Sequence, residues 1–220
     1  MGIQDYVSPE LRERYEFYNY NHALEILTQA FPTEWNDIKA FLSSFSLTLR
    51  DLEESGGNES AVPVKLKDSL YPKKWRSVQI SGDLHIKYYG KIPDQRRYEP
   101  EPYKEDIVRG YLDTRAIDFL KKRVAVVCEW NSKDSIFDRD LQALKMFYEA
   151  DIISAGIIIT RGSDFNDALE GVSYTFGEPV KKYGSSSTWI NKLLPRLDSR
   201  QNGGCPVLAV GITKHCFEVR

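Results

Sequence analysis

VAVVCEWNSKDSIF, residues 124–137, decides the fold. Val124 through Cys128 form an apolar, β-branched run suited to a strand buried on both faces. Glu129 and Asn131 follow, and residues two apart in a strand share a side. A strand that dives into a core therefore ends by presenting an acid and an amide together. The polar run Ser132-Lys133-Asp134-Ser135 comes next. After it, DRDLQALKMFYEA (138–150) is an amphipathic helix with Leu141, Leu144, Phe147 and Tyr148 on one face.

Working outward, RAIDFLKKRVAVVCEW (115–130) reads as strand, tight basic turn at Lys121-Lys122-Arg123, and second strand. ISAGIIITRG (153–162) and CPVLAVGIT (205–213) are two further buried strands. SDFNDALE (163–170) opens a short helix capped by Ser163 or Asp164, and SSSTWINKLLPRL (185–197) reads as a helix with a serine N-cap. Buried strand, helix, buried strand implies parallel crossovers. The expected fold is α/β, a mixed central β-sheet flanked by helices on both faces.

Upstream, NHALEILTQAF (21–31) and TEWNDIKAFLSSF (33–45) have helical periodicity, with Thr33 as the expected N-cap of the second. PVKLKDSLYPKKW (63–75) is a short helix started at Pro63 and stopped near Pro72. SVQISGDLHIKYYGKI (77–92) alternates as strand, broken at Ser81-Gly82, and PDQRRYEPEPYKED (93–106) reads as a charged loop. Arg96 and Arg97 in that loop are more readily a solvated surface than a phosphate contact. One domain over residues 1–220 is expected, with a helical part at about 18–75 and an α/β core at about 77–213.

At 41% hydrophobic content the 220 residues can bury a sizeable core, yet no apolar run approaches the roughly 18 residues of a membrane span. The N-terminus lacks the apolar stretch of a secretory signal, so a cytoplasmic protein without a membrane association is expected. Three cysteines, Cys128, Cys205 and Cys216, form neither a disulfide framework nor a zinc pattern. Cys128 reads as a small core residue rather than a nucleophile. Net charge is −2, but its distribution is uneven. Residues 1–62 hold 4 basic and 11 acidic side chains, which leaves residues 63–220 at +5. The asymmetry permits a basic cleft for a polyanion.

Folding back at the basic turn brings Asp118 opposite the end of the second strand. Asp118, Glu129 and the Asn131 amide would then converge at the sheet rim, with the carbonyl of Trp130 between them. The alternative is that Glu129 and Asn131 are simply the solvated end of a strand, with Asn131 starting a turn. Hard oxygen donors of this kind suit Mg²⁺, which needs only one or two carboxylates and keeps several waters. Such an ion neutralises a scissile phosphate and activates a water.

In YNHALEIL (20–27), KDSLYPKKW (67–75) and IDFLKKRVAVVCEWNSKDSIF (117–137), followed by GIIITRG (156–162), the chain resembles the BglII/BstYI group of type II restriction endonucleases. That group belongs to the PD-(D/E)xK nuclease superfamily, whose motif is an Asp followed by Glu-x-Lys, or Glu-x-Gln in this group. The resemblance implies Asp118 and Glu129 as catalytic metal ligands, with the Trp130 carbonyl, and Asn131 in the glutamine position. It implies base reading by the loop Ser132, Lys133, Asp134 and Ser135. It also implies a Mg²⁺-dependent homodimer that cuts a short palindrome in double-stranded DNA.

The chain departs from the pattern twice. Asparagine shortens the arm, and the interval from Asp118 to Glu129 is two residues longer than the family pattern leads one to expect. A rival register places Val127 and Glu129 at the acid and amide positions, and valine cannot bind a metal. A longer turn or a bulge between the strands is the expected way to absorb the excess. The alternative function is a non-catalytic, sequence-specific DNA-binding protein on a nuclease-like fold. Ser135 or Asp134 is also expected to cap the helix that follows.

Overall fold

A computed structural model describes residues 2–48, 51, 60–112, 116–167 and 186–218. The chain divides into two compact units, one of Met1–Ser77 with Ile117–Arg220 and one of Val78–Ala116. In chain order the first carries α1 (Pro9–Arg14), β1 (Tyr15–Tyr20), α2 (Ala23–Ala30), α3 (Pro32–Ser44), α4 (Ala61–Leu70) and the beginning of β2 (Arg76–Gln79). After the second unit it continues with β5 (Ala116–Lys121), β6 (Val124–Cys128), α5 (Ile136–Glu149), β7 (Ala155–Arg161), α6 (Ile190–Asp198) and β8 (Val207–Ile212).

The six-stranded sheet has the order β1-β8-β7-β6-β5-β2. β6, β7 and β8 run parallel, with Val124 opposite Ala155 and Gly156 opposite Val207. β5 pairs with β6 antiparallel, and β1 with β8 antiparallel. Every residue of β6, β7 and β8 is buried, which is why these segments read as continuous apolar runs. Each fully buried Val or Ile stabilises the fold by roughly 1.5–3 kcal/mol.

Ala155, Ile157 and Ile159 pack into one cluster with Leu24 and Leu27 of α2, Trp35 and Ile38 of α3, and Leu66 and Leu70 of α4. On the opposite face, α5 presses Leu144 over Gly156, where an added Cβ would lie 2.9 Å from a Leu144 methyl. Helices thus cover both faces, as the sequence leads one to expect.

Several local expectations change. Tyr15–Tyr20 is an unanticipated strand, running from Tyr15 opposite Ile212 to Tyr20 opposite Val207. Only Tyr15 and Phe17 of it are buried, so an edge strand leaves a weak apolar signature. α3 begins at Pro32, not behind a Thr33 cap, because the fixed φ of proline suits the first helical position. α4 begins two residues before Pro63. The serine run before α6 does not cap it. α6 starts at Ile190 behind Trp189, and Ser186–Thr188 lie extended against residues 132–134. Of the helix expected over 163–170, residues 168–170 lie outside the described residues, as does most of the loop at 54–61.

The second unit is a two-stranded antiparallel hairpin, β3 (Leu84–Tyr88) with β4 (Lys104–Val108). β4 overlaps the stretch expected to be loop. Its charged residues are tolerated in a strand because they are paired: Lys87 faces Glu105 at 3.5 Å, and the Lys104 ammonium lies 4.8 Å from the Tyr88 ring centre. Arg96 and Arg97 are exposed in the connection. Among the described residues no helix is long and apolar enough to cross a membrane.

Candidate active site

β5 and β6 meet at a two-residue turn, Lys122-Arg123, with Lys122 at φ 49°. The paired positions are Lys121 with Val124, Leu120 with Ala125 and Phe119 with Val126, in unbroken register. The turn is not lengthened and no bulge interrupts these three rungs, contrary to that expectation. Ion pairs pin the turn: Lys121 to Asp37, Lys122 to Glu34 and Arg123 to Asp151. Continuing the register by one rung puts Asp118 across from Val127, which is 7% exposed.

Asp118 is the third residue of β5, between buried Ile117 and Phe119. Its carboxylate accepts the Cys128 N–H at 2.8 Å, so it leans along β6 toward the strand end. Glu129 is the first residue past β6. Its N–H donates to the Ile159 carbonyl at 3.0 Å, and its carbonyl accepts the Thr160 hydroxyl at 2.8 Å. β7 therefore fixes the backbone of Glu129 on both sides. The Glu129 side chain meets the Ser132 hydroxyl and the side chain of Asp140 on α5.

Asp118, Glu129, Asn131 and Ser132 line one open cavity of about 440 Å³. Lys67 and Tyr71, from the end of α4 and the turn after it, line the same cavity. Tyr71 stands edge-on to Phe119 at 5.8 Å, and the Lys67 ammonium lies 5.7 Å from the Tyr71 ring. Asn131 is exposed, whereas Trp130 is 3% exposed and edge-on to Phe165 at 5.2 Å.

Burial pushes the Asp118 carboxyl above its ordinary range, and the Cys128 N–H offsets part of that. Burial also raises Glu129, helped by the charge of Asp118 and opposed by Ser132 and Asp140. Two carboxylates kept from ionising by burial, one of them also by the charge of the other, beside an open cavity favour a cation there. Among the described residues no group of three or more His, Cys, Asp or Glu side chains is placed to hold a metal ion. The donor set is thus two carboxylates with neutral oxygens, which fits Mg²⁺ better than zinc.

Cys128 is buried with its thiol pushed up by burial, and Cys205 and Cys216 are buried and free. None is placed as a nucleophile. Lys133 and Ser135 are exposed, while Ser132 and Asp134 are half-buried. Ser135 occupies the cap position of α5 without a side-chain bond, contrary to the capping expectation, because the chain enters the helix already in a helical conformation there.

Lys67 and Asp140 are site neighbours that the sequence reading did not single out. Lys67 lies within a segment of family likeness, but nothing local signals that α4 turns it toward Asp118. Asp140 reads as one more polar position of an amphipathic helix, yet it is 9% exposed.

A mixed sheet clad by helices, with paired carboxylates where a β-hairpin opens, defines a restriction-endonuclease-like nuclease. The family model described as restriction endonuclease BglII/BglIII matches residues 15–212, and the chain belongs to that family. It is a site-specific deoxyribonuclease with DNA as substrate. Among curated proteins no match is found.

Proposed function

We propose that the protein is a Mg²⁺-dependent, homodimeric type II restriction endonuclease that hydrolyses one phosphodiester in each strand of a short palindrome. The observation that carries this reading is the meeting of Asp118 and Glu129 at one cavity wall in a chain of this family.

Asp118 and Glu129, with the Trp130 carbonyl, would hold the cation. When bound, the ion supplies charge neutralisation at the phosphate and makes a water more acidic. Asn131 reaches the cavity with an amide that both donates and accepts, so it orients the attacking water against the phosphate. Lys67 brings to the same cavity the positive charge that Asn131 lacks, and would offer it to a phosphate oxygen. Val127, across from Asp118, has no atom that can bind a metal, so Glu129 is assigned as second ligand.

Ser132, Lys133, Asp134 and Ser135 form the proposed base-reading loop. Lys133 suits the guanine O6 and N7 acceptors, and Asp134 suits the cytosine N4 donor. A two-fold dimer matches a palindrome by symmetry. The test is digestion of unmethylated phage DNA with Mg²⁺ or with EDTA. Discrete fragments with Mg²⁺ alone, ending in 5′ overhangs, are expected, and Asp118→Ala should bind the same site without cutting it. Tight site-specific binding by the wild type without scission in Mg²⁺ or Mn²⁺ would establish the non-catalytic alternative, which the Val127 register favours.

A further inference from the structure

The proposed base-reading loop owes its shape to a distant part of the chain. The Ser132 carbonyl accepts the Thr188 N–H at 3.0 Å, and the Asp134 N–H donates to the Ser186 carbonyl at 2.9 Å. Lys133 forms an antiparallel bridge with Ser187. Residues 186–188 are thus a short rail along the loop.

Arg161, the last residue of β7, holds that rail. It is fully buried. Its Nε and Nη2 donate to the Thr188 carbonyl at 2.9 and 2.7 Å, and Nη2 also donates to the Ser187 hydroxyl at 2.7 Å. The guanidinium lies 4.3 Å from the Trp189 ring centre and 5.7 Å from that of Trp130, the residue two before the loop. Thr160, the neighbour of Arg161, donates to the Glu129 carbonyl at 2.8 Å. Successive strand residues project to opposite faces. The end of β7 therefore grips the carboxylate backbone with one residue and the loop's rail with the next.

Burying a guanidinium is costly, and an apolar side chain would fill the same space without that cost. The planar fork does what an apolar chain or a lysine cannot: it fixes a carbonyl and a hydroxyl in one plane while stacking on an indole. We infer that Arg161 is the positioning residue for sequence discrimination, fixing the paired segments 132–134 and 186–188 as one base-reading edge in register with Glu129. This rests on the nuclease reading above.

Phosphate contacts give affinity without sequence information, whereas base contacts give discrimination and need a fixed edge. Loosening the edge therefore costs discrimination more than rate. The wild type's site is first read from the ends of its fragments. Single-turnover cleavage is then measured on that site and on sites differing by one base pair, for wild type, Arg161→Lys and Ser187→Ala. Both variants should lower the cognate-to-near-cognate rate ratio by about tenfold. The cognate rate at saturating enzyme should fall by less than about threefold, a difference too small to cost a full base contact.

Ser187→Ala removes one half-buried acceptor and leaves both Arg161 bonds to the Thr188 carbonyl, so it should fold and decides the matter if Arg161→Lys fails to fold. An unchanged ratio in Ser187→Ala overturns the inference. So does an equal fall on all sites with a lowered melting temperature, which marks a merely structural residue. If the wild type cuts nothing, the nuclease reading has failed instead. The same variants are then compared by competition binding of cognate and random duplexes, and loss of preference in them still supports Arg161 while unchanged preference refutes it.

Discussion

The β5–β6 hairpin carries charge at both ends, and the two ends treat it oppositely. At the turn, Lys121 meets Asp37 at 2.7 Å and Lys122 meets Glu34 at 3.3 Å, both acids belonging to α3. Arg123 pairs with Asp151 and donates to the Ser154 hydroxyl at 2.8 Å. Each turn cation thus has a carboxylate. At the open end, the Asp118 carboxylate leans on an amide, and Glu129 on a hydroxyl and another acid. Burial there opposes ionisation, so the charges at the open end cost stability and those at the turn supply it. A hairpin anchored at one end can carry destabilising carboxylates at the other, where a cation and a phosphate would satisfy them.

The largest expected effect of breaking this contrast is at the open end. Glu129→Gln or Asp118→Asn should lower the single-turnover cleavage rate by about 10³-fold. Neither should destabilise the fold. Removing a desolvated charge should raise stability at pH 7.5 by about 1 kcal/mol, read by urea unfolding. A substantial loss of stability in both variants would sink the contrast.

The turn should respond the other way. Asp37 also accepts the indole N–H of fully buried Trp75 at 3.0 Å. Asp37→Ala strands that donor and the Lys121 ammonium together, at a cost of about 3 kcal/mol. A fall in melting temperature of about 8 °C is expected, with cleavage at 25 °C within about twofold of wild type because α3 contributes no group to the cavity.

Val127 offers a smaller and sharper test. It stands where the rival register places the acid. If Glu129 is the second ligand, Val127→Glu adds a third buried carboxylate beside Asp118 and should lower the cleavage rate by about tenfold. An increase in rate would move the second ligand to position 127 and overturn the assignment of Glu129.

The parts of this molecule legible in its sequence are those whose signal is local. The runs 124–128, 155–161 and 207–212 announce buried strands because both faces are covered, and α5 announces itself through Leu141, Leu144 and Phe147. Glu129 and Asn131 line one cavity, but β6 ends at Cys128, so the strand alternation that drew attention to them does not extend to them. The missed features depend on partners far along the chain. Tyr15–Tyr20 becomes a strand through β8, and Ser186–Thr188 stays extended through Arg161 and residues 132–134, against its own capping propensity. Lys67 and Asp140 join the site only through the packing of α4 and α5.

The smallest effect is the pH dependence of the stability difference between wild type and Asp118→Asn. The folded-state pKa of Asp118 is raised by burial, and that of Glu129 by burial and the charge of Asp118. In the window between the unfolded and folded values, the folded state binds protons that the unfolded state does not. Stability of the wild type therefore rises as pH falls through the folded values, and the gain is complete below the unfolded values near 4. Asp118→Asn lacks the Asp118 share of that gain. Its advantage of about 1 kcal/mol at pH 7.5 should shrink steadily and vanish by about pH 4. Cleavage should fall over the same window, because protonated carboxyls do not ligate a cation. Parallel unfolding curves for the two proteins at each pH measure the difference directly, since the rest of the chain is common to both. A difference that stays constant with pH would mean that Asp118 is not strained by its burial, and that the open end of the hairpin stores no charge for a cation to relieve.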